Sequence, residues 1–231
     1  GSARNGYPCI VAGGANATIL HYNENDQPLG DGDLLLIDAG AEYKGYAADV
    51  TRTYPVGGHM EGPQRDVYEV VLAAQEAGLV LSKPGSTLDA IHQAALSRLV
   101  EGLVALGLLS GSVDDLIEGG EYRRYYMHRT SHWLGLDVHD VGNYVHEDRP
   151  RSLEPGMAFT VEPGLYFGPR DRVVPKELRG IGVRIEDDVL VPKEGCDVLP
   201  RDVPKAIDDI YRYPLRQAAV DTLNRQLRSG I

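Results

Sequence analysis

Over the first forty residues the apolar positions fall in short runs, Cys9 to Ala12, Thr18 to Tyr22 and Leu34 to Asp38, with Gly and Asn between them. Runs of this length bounded by turn formers predict strands. Asp33 to Tyr54 reads as a hairpin followed by an extended segment. From Gln64 to Ser82 the spacing changes. Val67, Val70, Val71, Ala74, Gly78 and Leu81 recur at three and four residues, which predicts a helix, and Pro84-Gly85 ends it. A second helix is expected from Thr87 to Leu106, with Leu88, Ile91, Ala95, Leu99, Leu103 and Leu106 on one stripe. Gly111 to Arg124 is acidic and glycine-containing and reads as a loop or an irregular turn. Strands resume at Gly135 to Val138, Ala158 to Glu162 and Gly182 to Val191, with breaks at Pro155-Gly156, Pro163-Gly164 and Pro169. The tail from Asp202 reads as a helix, with Pro204 in its first turn and Pro214 interrupting it. The class is α+β with a mainly antiparallel sheet.

Composition narrows the field. The chain has 231 residues, 42% hydrophobic and 25% charged, enough for one sizeable core or two small domains. A net charge of −11 makes nucleic acid and anionic membrane poor partners. No apolar run approaches the ~20 residues of a membrane-spanning helix. The opening residues lack the basic-then-apolar order of a signal peptide, so a cytoplasmic location is expected. Cys9 and Cys196 are far apart and outside any CxxC spacing, which fits unpaired thiols in a reducing compartment.

The acidic residues change the picture further. Asp38 closes the run Leu34-Leu35-Leu36-Ile37-Asp38, and Asp49 follows the turn at Tyr43-Lys44-Gly45. If Tyr43-Lys44 is the hairpin loop, Asp38 and Asp49 face each other with Cβ atoms roughly 5 Å apart. A register shifted by two leaves them diagonal on the same face. Such a pair repels unless a cation lies between them, and a divalent metal is the simplest cation. Two solvated acids at strand ends are the plain alternative. Glu162 and Glu186 interrupt two more strand-like stretches, Phe159 to Gly164 and Gly182 to Asp188. Arg184 is two places before Glu186, so an ordinary Arg–Glu surface pair is the alternative there. His128, His132 and His139 fall within twelve residues. Four carboxylates and an imidazole form a hard, oxygen-rich donor set. It suits two divalent ions of the manganese, cobalt or iron kind better than a structural zinc. Such a pair is a hydrolase's equipment.

In order, Asp38, Asp49, His132, Glu162 and Glu186 resemble the five ligands of the pita-bread metallopeptidases. The neighbouring text most resembles aminopeptidase P: Ile37-Asp38-Ala39-Gly40, Asp49-Val50-Thr51-Arg52-Thr53, Ser131 to Asp140, Glu162-Pro163-Gly164 and Arg184 to Asp188. The resemblance runs from about Tyr7 to Leu199. It implies a curved, mainly antiparallel sheet covered by helices, and an Xaa-Pro aminopeptidase with two divalent ions, manganese first and cobalt, iron or zinc as alternatives. It further implies that Asp49 and Glu186 bridge the metals, Asp38 chelates one, and His132 and Glu162 complete the other. Glu162 would also pass a proton to the leaving nitrogen. His21 and His139 would hold the scissile carbonyl, His128 would lie near the proline pocket, and Arg184 would orient the ligands. A prolidase is the nearest alternative, although Ser131-His132-Trp133 stands where prolidases commonly have Gly-His-Phe. A metal-free binding module is the alternative from another class.

Measured against that family, the 231 residues read as a catalytic domain lacking the N-terminal domain and the first helices. The expectation is a piece of a longer, homo-oligomeric polypeptide that folds poorly alone.

Overall fold

A computed structural model of the chain describes residues 1–60 and 62–212. β1 (Ile10–Gly13) and β2 (Leu34–Asp38) begin the first sheet. β3 (Ala41–Tyr43) and β4 (Tyr46–Ala47) then form a hairpin that also takes Arg4–Asn5 as a neighbour. β5 (Thr51–Pro55) returns beside β2, giving the order β1-β2-β5. Every strand pair among the described residues is antiparallel.

The hairpin register is two residues off the facing arrangement. Asp38 opposes Thr51, and Tyr43 opposes Tyr46. The loop is therefore Lys44-Gly45, with φ of 53° and 89°. A two-residue hairpin turn of this hand needs positive φ at both positions, and Gly at the second is its common solution. Asp49 consequently lies diagonal to Asp38. At Gly40 a Cβ would come within 1.5 Å of the Ala48 carbonyl oxygen, so only glycine lets the two strands cross there.

α1 (Pro63–Leu81) and α2 (Leu88–Ala105) match the two predicted helices. Thr87 caps α2, its side chain accepting from the Ala90 N–H at 3.0 Å. The helices pack side by side over Val67, Val71, Ala95, Leu99 and Leu103, all fully buried. At Gly102 a Cβ would meet Val70 at 2.2 Å, which is why the axes can approach so closely. The stretch expected to be a loop or an irregular turn, Gly111 to Arg124, instead contains a helix, α3 (Val113–Gly119), followed by a 3-10 turn, Glu121–Arg124. Ser112 caps α3 by accepting from the Asp115 N–H, and Gly120 ends it at φ 79°.

The second half contributes β6 (Ala158–Val161), β7 (Gly164–Tyr166), β8 (Gly182–Arg184) and β9 (Asp187–Leu190). β7 pairs with β8, and β9 lies between β6 and Asp197–Val198. The single strand expected from Gly182 to Val191 is thus two. Pro163 lies opposite the break and has no N–H to continue the ladder. At the break the Glu186 N–H turns to the Thr51 carbonyl at 3.0 Å, joining the two halves of the molecule.

Two further strands are not formed. Thr18 to Tyr22 follows a 3-10 turn, Gly14–Thr18, with the Tyr22 N–H bonded back to the Ile19 carbonyl. Gly135 to Val138 is a tight bend in which the Gly135 N–H donates to the Asp137 carbonyl. α4 (Ile207–Arg212) starts later than the predicted tail helix, so Pro204 precedes it, and Pro214 lies outside the described residues. Cys9 and Cys196 are unpaired.

Candidate metal centre

Where the two halves meet, a cavity of about 360 Å³ is lined by Asp38, Asp49, His132, Glu162 and Glu186. His21, His128, His139 and Arg184 line the same cavity. All nine side chains named from the sequence therefore converge. Local structure explains their delivery. Asp38 ends β2, Asp49 precedes β5, Glu162 follows β6, and Glu186 sits at the break before β9. His132 is laid alongside β6 by its carbonyl, which accepts from the Thr160 N–H at 3.0 Å.

His132 Nε2 lies 3.3 Å from Asp49, 3.5 Å from Glu162 and 3.9 Å from Glu186. Asp49, His132 and Glu186 each offer a donor atom within 4.8 Å of the others. Glu186 is 1% exposed, yet its Oε1 accepts no hydrogen bond. Asp38 is drawn to Arg184 Nη2 at 2.6 Å. His139 stacks edge-on against His132, with ring centroids 4.4 Å apart.

A family model described as metallopeptidase family M24 matches residues 1–193. The chain belongs to that family. Curated members similar to this M24 chain include Xaa-Pro aminopeptidases of Haemophilus influenzae, 53% identical, and Escherichia coli, 51% identical, each over 88% of this chain. The chain spans about half the length of these relatives, 47% and 46%. Among solved structures, Pseudomonas aeruginosa aminopeptidase PepP is similar at 50% identity and TM-score 0.91, covering 96% of this chain and 50% of that one. A variant of Escherichia coli aminopeptidase P in complex with substrate is similar at 47% identity and TM-score 0.89, covering 96% and 49%. The pita-bread fold is thereby shown. No helix among the described residues is long and apolar enough to cross a membrane.

The electrostatics fit an M24 centre that binds divalent cations. Burial pushes Glu162 up to about 8; His132 and Arg184 pull against it, while the Asp49 and Asp38 charges push further. Burial pushes Asp188 up to about 7 and also raises Asp38 and Glu186. Burial opposes a charged His132, but its bond to Asp49 and the charge of Glu162 outweigh this and raise it. Burial lowers His139, and lowers His128 to about 4. Four carboxylates share one guanidinium and one imidazole, so the protein alone leaves negative charge uncompensated. The hard oxygen donors and the unpartnered Glu186 Oε1 suit a divalent ion.

Several residues went unnoticed in the sequence. The Tyr7 hydroxyl reaches Asp38 at 2.5 Å and Asp49 at 2.6 Å. One hydroxyl proton cannot fully serve two carboxylates, so the pair needs a further proton or a cation. Tyr166 OH sits between His128 Nε2 at 2.9 Å and Arg184 Nη1 at 3.2 Å. Asp188 accepts from the Asp49 N–H at 3.0 Å, and Thr51 Oγ1 donates to Glu186 Oε2 at 2.6 Å. Asp188 and Thr51 stand inside the motifs already singled out, which is a signal in plain sight. A larger cavity of about 810 Å³, lined by Asp31, Asp33, His59 and Glu177 among others, lies away from these groups. Convergent donors rather than volume identify the site.

Proposed function

We propose that residues 1–231 are the catalytic part of a dinuclear-metal aminopeptidase that removes the N-terminal residue from peptides with proline in second position. The observation that carries this reading is the convergence of nine ligand- and substrate-type side chains on one cavity in an M24 chain. The relatives' names, Xaa-Pro aminopeptidase, support the substrate class over a prolidase.

Asp38, Asp49, His132, Glu162 and Glu186 would hold two divalent ions, with manganese the preferred pair. Such ions supply Lewis acidity and lower the pKa of water. The chain's own residues do the rest. Glu162 stands between His132 at 3.5 Å and His128 at 3.8 Å, placed to carry a proton towards the leaving nitrogen. Burial keeps His128 neutral near pH 7, and Tyr166 fixes its ring, so it can line a pocket for an uncharged proline. His21 and His139 on the cavity wall supply donors for the scissile carbonyl. Arg184 bonds both Asp38 and Tyr166, tying the metal side to the proline side.

The test is hydrolysis by manganese-loaded protein of Ala-Pro-Ala beside the dipeptide Ala-Pro. Release of alanine from the tripeptide is expected. Turnover of the dipeptide alone would make the chain a prolidase.

A further inference from the structure

Directly behind Glu186 the chain turns its next side chain the other way. Asp187 is fully buried, and both of its carboxylate oxygens are occupied. Oδ1 accepts from Arg52 Nη2 at 2.6 Å. Oδ2 accepts from Gln75 Nε2 at 2.7 Å and from Lys205 Nζ at 2.5 Å. Lys205 Nζ also donates to Gln75 Oε1, and the Lys205 carbonyl accepts from Tyr68 OH at 2.7 Å. The cluster thus joins α1, β5, β9 and the segment 203–205.

Arg52 is the hub of this cluster. Its Nη1 donates to the Glu186 carbonyl at 2.6 Å and the Thr51 carbonyl at 2.9 Å. Its Nε donates to the Pro204 carbonyl at 3.1 Å, and its Nη2 to the Val203 carbonyl at 3.0 Å. On the other side, Thr51 receives the Glu186 N–H and donates to the Glu186 carboxylate. Glu186 is therefore gripped at its N–H, its carbonyl and its carboxylate by two consecutive residues. One of the two, Arg52, is itself held from behind.

We propose that Lys205, with the segment 203–205 it anchors, is a positioning residue for the ligand Glu186. This rests on the metal-centre reading above. Lys205 bonds Asp187 directly and keeps the Val203 and Pro204 carbonyls where the Arg52 guanidinium needs them. Without it, an Asp187 oxygen loses one of its partners and buried guanidinium N–H groups lose theirs. Buried charged groups do not tolerate this, so the guanidinium turns to seek new acceptors. Its bond to the Glu186 carbonyl then shifts. A metal ligand must be held within about 0.5 Å of its productive place. Metal affinity therefore responds to Lys205, although Lys205 touches no ligand.

Lys205 is 23% exposed at its side chain, so the fold can tolerate substitution there better than at Asp187. The experiment compares Lys205→Met, Lys205→Gln and Lys205→Arg with the parent chain. Two readouts are taken: manganese affinity by titration calorimetry, and the melting temperature of the metal-free protein. Residues supporting metal ligands typically contribute ~10–100-fold in affinity. K205M should weaken manganese binding by about 10-fold or more, and K205R should restore most of it. K205Q, which keeps a donor but not the charge, supplies the same comparison if K205M does not fold. Manganese affinity within twofold of the parent, with only the metal-free melting temperature lowered, would reduce Lys205 to a tether for the tail and overturn the proposal. A parent chain that takes up no manganese would instead overturn the metal-centre reading, and this proposal with it.

Discussion

Glu186 and Asp187 are neighbours in sequence, and each is buried, but they face opposite electrostatic worlds. In front of the strand, Asp38, Asp49, Glu162 and Glu186 share Arg184 and His132. Behind it, the single carboxylate of Asp187 has Arg52 and Lys205, with Gln75 completing its hydrogen bonds. The back is a satisfied ion cluster. The front holds a surplus of carboxylates, and burial drives Asp38, Glu162 and Glu186 among them upward. Buried charge persists only when it is compensated, so the front is built for cations from outside the chain and the back is not.

Removing those cations should produce the largest effect. Exhaustive chelation is expected to abolish peptide hydrolysis and lower the melting temperature, with manganese or cobalt restoring both. Elemental analysis must accompany the assay. Full activity with no metal detected would show that the front, like the back, is complete on its own.

A change inside the front that keeps its shape should have the next largest effect. Glu162→Gln retains the size and one ligand atom but cannot carry the proton. It should lower kcat by ~2–4 orders of magnitude while changing KM far less, with the fold intact by circular dichroism. A variant within a few-fold of the parent would remove Glu162 from the proposed proton path.

The contrast also explains what the sequence discloses. Asp38, Asp49, Glu162 and Glu186 are legible because each is a carboxylate in or beside a strand-like run, where solvation alone is a poor account of it. His132 is legible from its dense company. The diagonal placement of Asp38 and Asp49 depends on which two residues turn the hairpin, and Lys44-Gly45 wins on φ alone. α3 is hidden by acidity, although Ser112 followed three places later by Asp115 is a start signal. Tyr7, Arg52 and Lys205 are a different case. Tyr7 meets Asp38 across 31 positions, and Arg52 meets Asp187 across 135. No local spacing or propensity encodes such pairings; that of Arg52 with Asp187 appears only once the two halves are joined through Thr51 and Glu186.

The smallest effect expected, and the one that compares front with back most directly, is the pH dependence of stability. In the metal-free protein Glu162 is raised to about 8 and Asp188 to about 7, against unfolded values of about 4 for carboxylates. A folded pKa above the unfolded one means that the folded state binds more protons. The stability this supplies is complete below about pH 4 and is lost as pH rises through 7 and 8. His132, also raised, acts in the same direction. His128 and His92 are lowered by burial to about 4, so they act oppositely, adding stability as pH rises to about 6.5 and nothing beyond it. Between pH 6.5 and 8 the raised front groups, the carboxyls together with His132, dominate, and the metal-free melting temperature should fall. In a chain of this size each kcal/mol corresponds to roughly 2–4 °C. Bound cations replace those protons, and metal binding is itself favoured by deprotonation, so the manganese-loaded protein should show a flat or rising trend over the same range. Melting curves at several pH values, with and without manganese, make the comparison. Parallel trends in the two forms would mean that the raised carboxylates are not where the metal goes, and the division between front and back would fall.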